Sequence, residues 1–553
     1  MSANTSDRRA IEAVPRTVAA QRTVRPGPDV YRAVASRYLP VWRATIGPAP
    51  WLRFTRAPIG SNDGADALAD QVAAGVAVGF FAGLGTGPAS SELLREQVRA
   101  TLVLWQSQLR ADGAFRAARS HPLAARMVSQ VVQLLCEVDD YAEPLILADV
   151  SRHLDQLARH PQRACWLEGA AIVALADGAV LLRRAELVGI ARDRLRRLLA
   201  RQSEEGWFPE RGGADIGRLS LTIDALASVY HHYNWDELTE PLTSALRFLR
   251  HFVTPTGLVV ACGAGLGTGC LSPHGLELLA PTHPDAHALA LILRHRYARL
   301  VQTPDPSWSA GTALRFGSAA LLAARCGGAI LADCEPPRPH EPMTRFNHAE
   351  LIVVDASNYR AVVSTRHGGA LWVWWKRTNT VTQDAGLCVI FATHVRTSGR
   401  AERNHETAVT GTTITCGGIL RRLPGGESRS MLHRWLRRVL RPRRDDAQPH
   451  PLLGRAKPLT DAQHRALLHD YFRREISLHD DRVEVRDEIV CRTKCQTVVC
   501  GSPVSANPEL ESDATPHEQH QDAPLNLSGG KHAVISRTYR AGTLEAYRRR
   551  GLD

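Results

Sequence analysis

The 553-residue chain is 44% apolar and 22% charged, a balance that can fill more than one hydrophobic core and excludes both a small single module and a disordered chain. With 68 Lys and Arg against 56 Asp and Glu, the net charge of +12 favours anionic partners: acidic polysaccharide, phosphates, nucleic acid or an anionic membrane face. Charge alone does not choose among them.

Met1 to Val24 spreads Arg8, Arg9, Glu12, Arg16 and Arg22 among small residues and lacks the continuous apolar core of a signal peptide. Residues 1–30 are expected to form a flexible N-terminus, and the protein to be cytoplasmic, peripheral to the inner membrane at most. The longest apolar stretch, Gln71 to Leu84, holds three glycines and falls short of the roughly 20 residues that span a bilayer, so no transmembrane helix is expected. The 11 cysteines are odd in number, and Cys136, Cys326 and Cys388 sit inside apolar runs, the pattern of reduced core thiols.

Residues 31–335 read as helical, with apolar positions three and four apart, as in Leu182, Leu187, Ile190, Leu195, Leu198 and Leu199. One device returns: a polar pair, a glycine, then an apolar residue opening a loop, at Asp112-Gly113-Ala114, Glu205-Gly206-Trp207 and Thr256-Gly257-Leu258. These glycines are spaced as two units and one unit of a period of roughly 50 residues, the length of a helical hairpin. The long glycine-rich loops favour a closed (α/α) toroid of hairpins with a site on one rim over an open solenoid.

Prolines at Cys334 to His340 read as a linker. The period then changes to that of strands: Leu351 to Val354 and Tyr359 to Ser364 as a hairpin, then Ala370 to Trp375, Leu387 to Thr393, Thr412 to Cys416, Arg482 to Cys491 and Ala533 to Thr538. Residues 336–553 are expected to form an antiparallel β-sandwich, making the whole an α+β multidomain fold. Two segments interrupt it. Arg429 to Arg444 is a basic amphipathic insertion, a surface helix or a device for peripheral contact with an anionic membrane. Ser502 to Gly530 is polar and expected to be a loop.

Three clusters could carry chemistry. In the first, Trp207, Glu210, Asp215 and Arg218 surround flexible glycines just before the helix Leu219 to Tyr233. An indole to stack on a sugar ring and charges to bind its substituents make a substrate-binding rim; the alternative is that Asp215 caps the helix and Trp207 fills the core. In the second, Tyr230, His231, His232, Tyr233 and Asn234 end that helix. Neighbours on a helix point about 100° apart, so they cannot all face one cleft. In the third, a helix opening at Ser272 with Pro273 in its first turn puts His274 and Glu277 three apart on one face, where the carboxylate can orient the imidazole. His274 is the leading catalytic candidate. The run Gly263 to Gly269 lacks dinucleotide-motif spacing, Cys491, Cys495 and Cys500 lack zinc-ribbon spacing, and no Walker loop, GxSxG or HExxH occurs. No metal and no cofactor are expected.

The Glu205-Gly-Trp to Gly-Gly-Ala-Asp215 segment, Pro273-His-Gly-Leu-Glu277, and a β half with His348, the Tyr359 hairpin and Gly368-Gly369 together resemble the heparinase II/III-type polysaccharide lyases. The resemblance implies a toroid-plus-sandwich fold and β-elimination on a uronate-containing glycan, with one group neutralising the carboxylate, a base removing the C5 proton and an acid protonating the leaving oxygen. It assigns catalytic roles to His274, Glu277 and His348, with His340 behind His348; Tyr230 stands as a substitute catalytic base, and Trp207, Glu210, Asp215, Arg218 and Asn234 are the candidate substrate contacts. The partner is then an acidic polysaccharide or oligosaccharide, such as an exopolysaccharide, and nucleic acid is not expected. Two departures stand out. After His274 the helical half offers only Tyr297 where the family has its tyrosine, so the base is another residue such as Tyr230 or activity is lost; and the export signal of secreted lyases is missing. The alternatives are a non-catalytic glycan-binding or exopolysaccharide-assembly protein on the same fold, or a toroid glycosidase pairing Glu210 with Asp215 or Asp224.

Overall fold

A computed structural model of the chain describes residues 29–46, 62–84, 88–115, 123–137, 144–210, 213–259, 271–302, 310–326, 341–390, 395–399, 405–422, 470–492, 497–500, 525–526, 532–540 and 543–552. The basic insertion, the Cys334 to His340 linker, the Gly263 to Gly269 run and Cys495 lie outside them. Among the described residues are twelve helices: α1 (Asp29–Ile46), α2 (Asn62–Gly83), α3 (Pro88–Ser107), α4 (Leu123–Cys136), α5 (Pro144–Arg159), α6 (Cys165–Leu182), α7 (Ala185–Leu199), α8 (Ile216–Tyr233), α9 (Thr239–Arg250), α10 (Pro273–Leu279), α11 (Pro284–Gln302) and α12 (Ala310–Arg325).

The even-numbered helices neighbour one another in a closed circuit, α2 to α4, α6, α8, α10 and α12 and back to α2, and the odd-numbered ones lie outside them. Sequence dictates who is inside. Helix α6 is buried on almost every side, whereas α5, α7 and α9 are two-faced, with one apolar stripe each. By length and apolarity α6 alone among the described helices could cross a membrane; here its sides are covered by α4, α5, α7 and α8. Its two acidic residues are buried with partners, Glu168 with Arg194 at 2.7 Å and Asp177 with the Tyr233 hydroxyl at 2.7 Å.

The recurring glycines make one and the same turn. At each, the glycine N–H donates to a carbonyl three residues back, Arg110, Ser203 or Thr254, and the N–H of that residue donates to the carbonyl just after the glycine. Gly113, Gly206 and Gly257 all have φ between +79° and +96°, a region that costs other residues energy. Each turn also tucks against the next outer helix: a Cβ would strike the Arg152 carbonyl of α5, the Ser244 carbonyl of α9 or the Arg296 side chain of α11. Gly206→Ala is therefore expected to lose on the order of 1–3 kcal/mol in urea denaturation, and a loss within error would show that the turn relaxes freely.

The β half has three sheets among the described residues. A five-stranded meander runs Met343–Phe346, Leu351–Asp355, Tyr359–Ser364, Ala370–Trp375, Thr380–Asp384, antiparallel throughout. A six-stranded antiparallel sheet runs Glu406–Thr410, Thr413–Ile419, Tyr471–Leu478, Val483–Val490, His532–Arg540, Thr543–Leu552, and a second five-stranded sheet is centred on Leu387–Ile390. Strand alternation decides the layers. On Ala370–Trp375, Trp372 and Trp374 join the helical core, while Leu371, Val373 and Trp375 pack with Ile414, Ile476 and Val485 of the six-stranded sheet. The meander is thus a wall shared by both halves. Leu387 and Val389 of the third sheet cover the same six-stranded sheet at Phe472, Ile489 and Ile535. The expected strands appear, some with shifted ends, and the expected Ser502 to Gly530 loop contains a two-residue strand, Leu525–Asn526. Cys136 is exposed and Cys326 half-buried, so these two are not the core thiols their surroundings suggested: each falls at a helix end.

Candidate functional site

Four inner helices bring chemistry-bearing side chains together. Gly275 lets α10 lie directly on α8, because a Cβ there would run into the Asp224 backbone. That approach sets His274 Nδ1 2.7 Å from Asp224 Oδ1, while the Ser272 hydroxyl donates to Asp224 Oδ2 at 2.6 Å and the Ser272 N–H donates to Ser220 Oγ at 3.0 Å. Arg126 of α4 adds positive charge within range of Asp224, while the Cys326 thiol, just past α12, donates to the Leu322 carbonyl at 3.4 Å. These groups form a chain rather than a cage: among the described residues no three His, Cys, Asp or Glu converge to hold a metal ion.

Burial works against a charged imidazole, yet the Asp224 carboxylate outweighs it and pushes His274 up to about 10. Burial likewise opposes the charge on Asp224, but His274, Ser272 and Arg126 hold that carboxyl below its ordinary range. At neutral pH the two are an imidazolium and a carboxylate, so His274 donates protons and attracts anions; it is not a resting base. The pair's contribution to stability is full below the ordinary imidazole value of 6.5, is lost as pH rises through about 10, and on the acid side is lost as pH falls through the depressed range of Asp224. His232, itself held down by burial, and Cys326 are the other titratable groups facing this ring. The melting-temperature gap between the wild type and His274→Gln is expected to be level from about pH 5 to 6.5 and to close toward pH 10; a gap unchanged at pH 10 would mean the imidazole is neutral.

Glu277 does not orient His274. Its carboxylate is taken by Arg294, at 2.8 Å from Nε and through a second contact, and by the Tyr31 hydroxyl at 2.8 Å, tying α10 to α11 and α1. Three residues along a helix leave two side chains about 60° apart, enough here for Glu277 to face α11 and α1, and the carboxylate that reaches His274 comes from the facing helix instead. Trp207 is not a sugar platform either: it is 8% exposed within the helical core, and its Nε1 donates to Glu205 at 3.0 Å. The expected core-filling role is the one it has.

Asp215 caps α8 by accepting from the Arg218 N–H at 3.0 Å and pairs with the Arg218 guanidinium at 3.5 Å. Glu210 accepts from the Trp166 N–H at 3.1 Å. Burial pushes Glu210 up to about 7 and Asp215 up to about 6. Tyr230, six residues beyond Asp224, stands edge-on to His283 at 6.2 Å, and Asn234 is the left-handed C-cap of α8, with φ of 49°. Ten residues of helix place Asn234 roughly 15 Å from Asp224 along the axis. His348 lies where the halves meet: its N–H donates to Glu205 at 2.8 Å while its side chain is exposed. His340 lies outside the described residues. The structure therefore bonds Asp224 to His274, and gives Tyr230, Glu277 and Asn234 other roles: a ring contact with His283, contacts with Arg294 and Tyr31, and the C-cap of α8.

Arg126 and Cys326 were not singled out as site residues by the sequence, and Asp224 entered only as a possible glycosidase carboxylate, not as the partner of His274. The available signal was Ser220, Asp224 and Ser228, four apart and so on one face of the helix.

The sequence matches no protein-family model and no curated protein. Solved structures similar to it include polysaccharide lyases and, over 54% of this chain at 14% identity and a TM-score of 0.35, a type II terpene cyclase from Scytonema. A chondroitin AC lyase from Streptomyces coelicolor A3, in complex with chondroitin sulphate, aligns with 13% identity and a TM-score of 0.49 over 88% of this chain and 69% of its own. A Paenibacillus xanthan lyase aligns with 10% identity and a TM-score of 0.48 over 85% of this chain and 48% of its own, so the chain spans about half that enzyme. Heparinase III aligns with 10% identity and a TM-score of 0.48 over 95% of this chain and 91% of its own.

Proposed function

We propose that the protein is a lyase-like, carbohydrate-active protein that binds an acidic, uronate-containing glycan inside a toroid formed by its ring of helices. The observation that carries this reading is the imidazolium of His274, held charged by Asp224 with Arg126 nearby. A charged N–H donor in a partly dry ring is suited to bind a uronate carboxylate and withdraw its charge, the step that makes a C5 proton removable. The same proton can later pass to the leaving oxygen.

A second reading, glycan binding without turnover, is favoured by the tyrosines. Elimination needs a base beside the C5 proton, but Tyr230 lies against His283, Tyr233 donates to Asp177, and Tyr297 is buried against Tyr31. The glycosidase reading has less behind it, since Glu210 and Asp215 are occupied by backbone N–H groups.

Purified protein incubated with chondroitin, heparin, hyaluronan and alginate is expected to retain at least one of them, in a manner weakened by salt, and turnover would show as new absorbance from the unsaturated uronate. Retention without new absorbance selects the binding reading. Neither retention nor absorbance from a folded protein would sink both.

A further inference from the structure

The two rims of the helical ring differ in charge. Each outer helix leads into the next inner one at the same rim, so α5 and α7 end where α6 and α8 begin. There α5 ends in Arg159 and Arg163 follows it, while α7 carries Arg196 and Arg197 in its last turn and Arg201 follows that. The two helix ends are neighbours, because Arg194 donates to the Leu157 carbonyl and Arg201 Nη2 donates to the Arg163 carbonyl at 2.7 Å. Four of these rim arginines are exposed and Arg201 is half-buried; the exposed acids on the same segments are Asp193, paired with Arg196 at 3.1 Å, and Glu204. Cations in a last helical turn offset the helix dipole, but Arg163 and Arg201 lie beyond both helices. The opposite rim is built differently: Arg184 is neutralised by Asp155 at 2.9 Å and Glu186 at 2.6 Å, and Asp236, Glu237 and Glu240 are exposed.

We propose that the arginine surface at the ends of α5 and α7 is a docking site, outside the ring, for the polyanionic chain whose acidic sugar is bound at His274. The inference rests on the glycan reading above and adds a second surface to it. The stretch between surface and ring is continuous: Trp166, half-buried at the start of α6, gives its N–H to Glu210 at 3.1 Å, Glu210 pairs with Gly213 across a two-residue hairpin, and Arg218 follows in the first turn of α8 with its side chain 28% exposed. Asp224, which holds His274, lies six residues further along α8, roughly 9 Å down the axis. One sugar ring cannot reach from there to the rim, whereas a chain can. Exposed guanidinium groups act on such a chain through many weak, screened contacts, so the surface strengthens the binding only of ligands long enough to meet it. The partner it fits carries repeated carboxylate or sulfate groups, which the planar fork of an arginine accepts in two hydrogen bonds.

The test uses the full-length protein with chondroitin, heparin, hyaluronan and alginate, each as polymer and as tetrasaccharide. Arg159→Gln, Arg196→Gln and Arg197→Gln combined are expected to weaken binding of the retained polymer about tenfold or more, and of its tetrasaccharide less than about twofold. Arg32→Gln, Arg95→Gln and Arg183→Gln combined remove the same charge from exposed residues toward the opposite rim and should change either affinity less than about twofold. The wild type alone gives a measurement that no variant's folding can confuse: its affinity for polymer should fall more steeply with salt than its affinity for tetrasaccharide. Equal salt dependence, or a polymer affinity that the two variants share, overturns the docking site and leaves glycan binding in place. A folded wild type that retains none of the four glycans overturns the glycan reading and this site with it. Retention of single-stranded DNA or phosphatidylserine vesicles through these arginines, with no effect on glycan, overturns the proposal and assigns the surface to another partner.

Discussion

Asp487→Ala is expected to cost the protein about 3–5 kcal/mol, a larger stability loss than either Gly206→Ala or Glu277→Gln should cause. Inside the sandwich, Arg474 and Arg537 face Asp384 and Asp487 with side chains that are 0% exposed. Arg474 reaches Asp487 at 2.7 and 2.9 Å and Asp384 at 3.0 Å; Arg537 reaches Asp384 at 2.8 Å and also contacts Asp487; the Tyr539 hydroxyl and the Gly386 N–H each donate to Asp384 at 3.0 Å. Two positive and two negative groups cancel. Removing one carboxylate leaves a guanidinium in the dark with no water to replace its partner. Urea unfolding followed through the tryptophans measures the loss. A double variant, Asp487→Ala with Arg537→Met, should recover part of it by restoring charge balance, and a single-variant loss under about 1 kcal/mol would show that water enters this layer.

Asp224→Asn should have the largest effect on function. Without the carboxylate, burial acts on His274 unopposed, its affinity for a proton drops far below the present value, and the imidazolium is lost at neutral pH. Glycan affinity, or turnover where present, is expected to fall at least about tenfold, equal to 1.4 kcal/mol, and NMR titration of the His274 ring should show the shift directly. Glu277→Gln separates structure from function. It breaks the contacts with Arg294 and Tyr31, so it should lower thermal stability while leaving the His274 titration where it was. An unshifted His274 in Asp224→Asn, or a shifted one in Glu277→Gln, would reassign the partner of the imidazole.

How much of this was legible in the sequence depended on whether a pattern was local. The glycine turns were, because a backbone demand for positive φ leaves a glycine at each occurrence. Helix α10, with Ser272 and Pro273 at its start, was equally local. The partner of His274 was not: Asp224 is 50 positions away, and spacing within one helix pointed to Glu277 instead. Trp207 misled because a tryptophan amid charges and glycines looks the same whether it stacks on a sugar or plugs a core. Strand Tyr471–Leu478 escaped because its inward-facing side is Phe472, Arg474, Ile476 and Leu478; an arginine in the buried register breaks the alternation that marks a strand, and only the carboxylates of distant strands explain why it is tolerated.

The closure of the helical circuit has a consequence for synthesis. Helices α1 and α2 rest on α12, where the Trp42 ring lies so close over Gly317 that a Cβ there would come within 2.6 Å of it. The first-made helices therefore wait for the last-made one. Roughly 230 residues separate Gly83 from Ala310, which at about 5–20 residues per second leaves that apolar flank uncovered for on the order of 10–45 s on the ribosome. An open edge of this size, available for so long, is a natural place for a chaperone to bind, and circular permutation that joins α12 ahead of α1 in the chain should move the late-closing seam from between α2 and α12 to between α12 and α10.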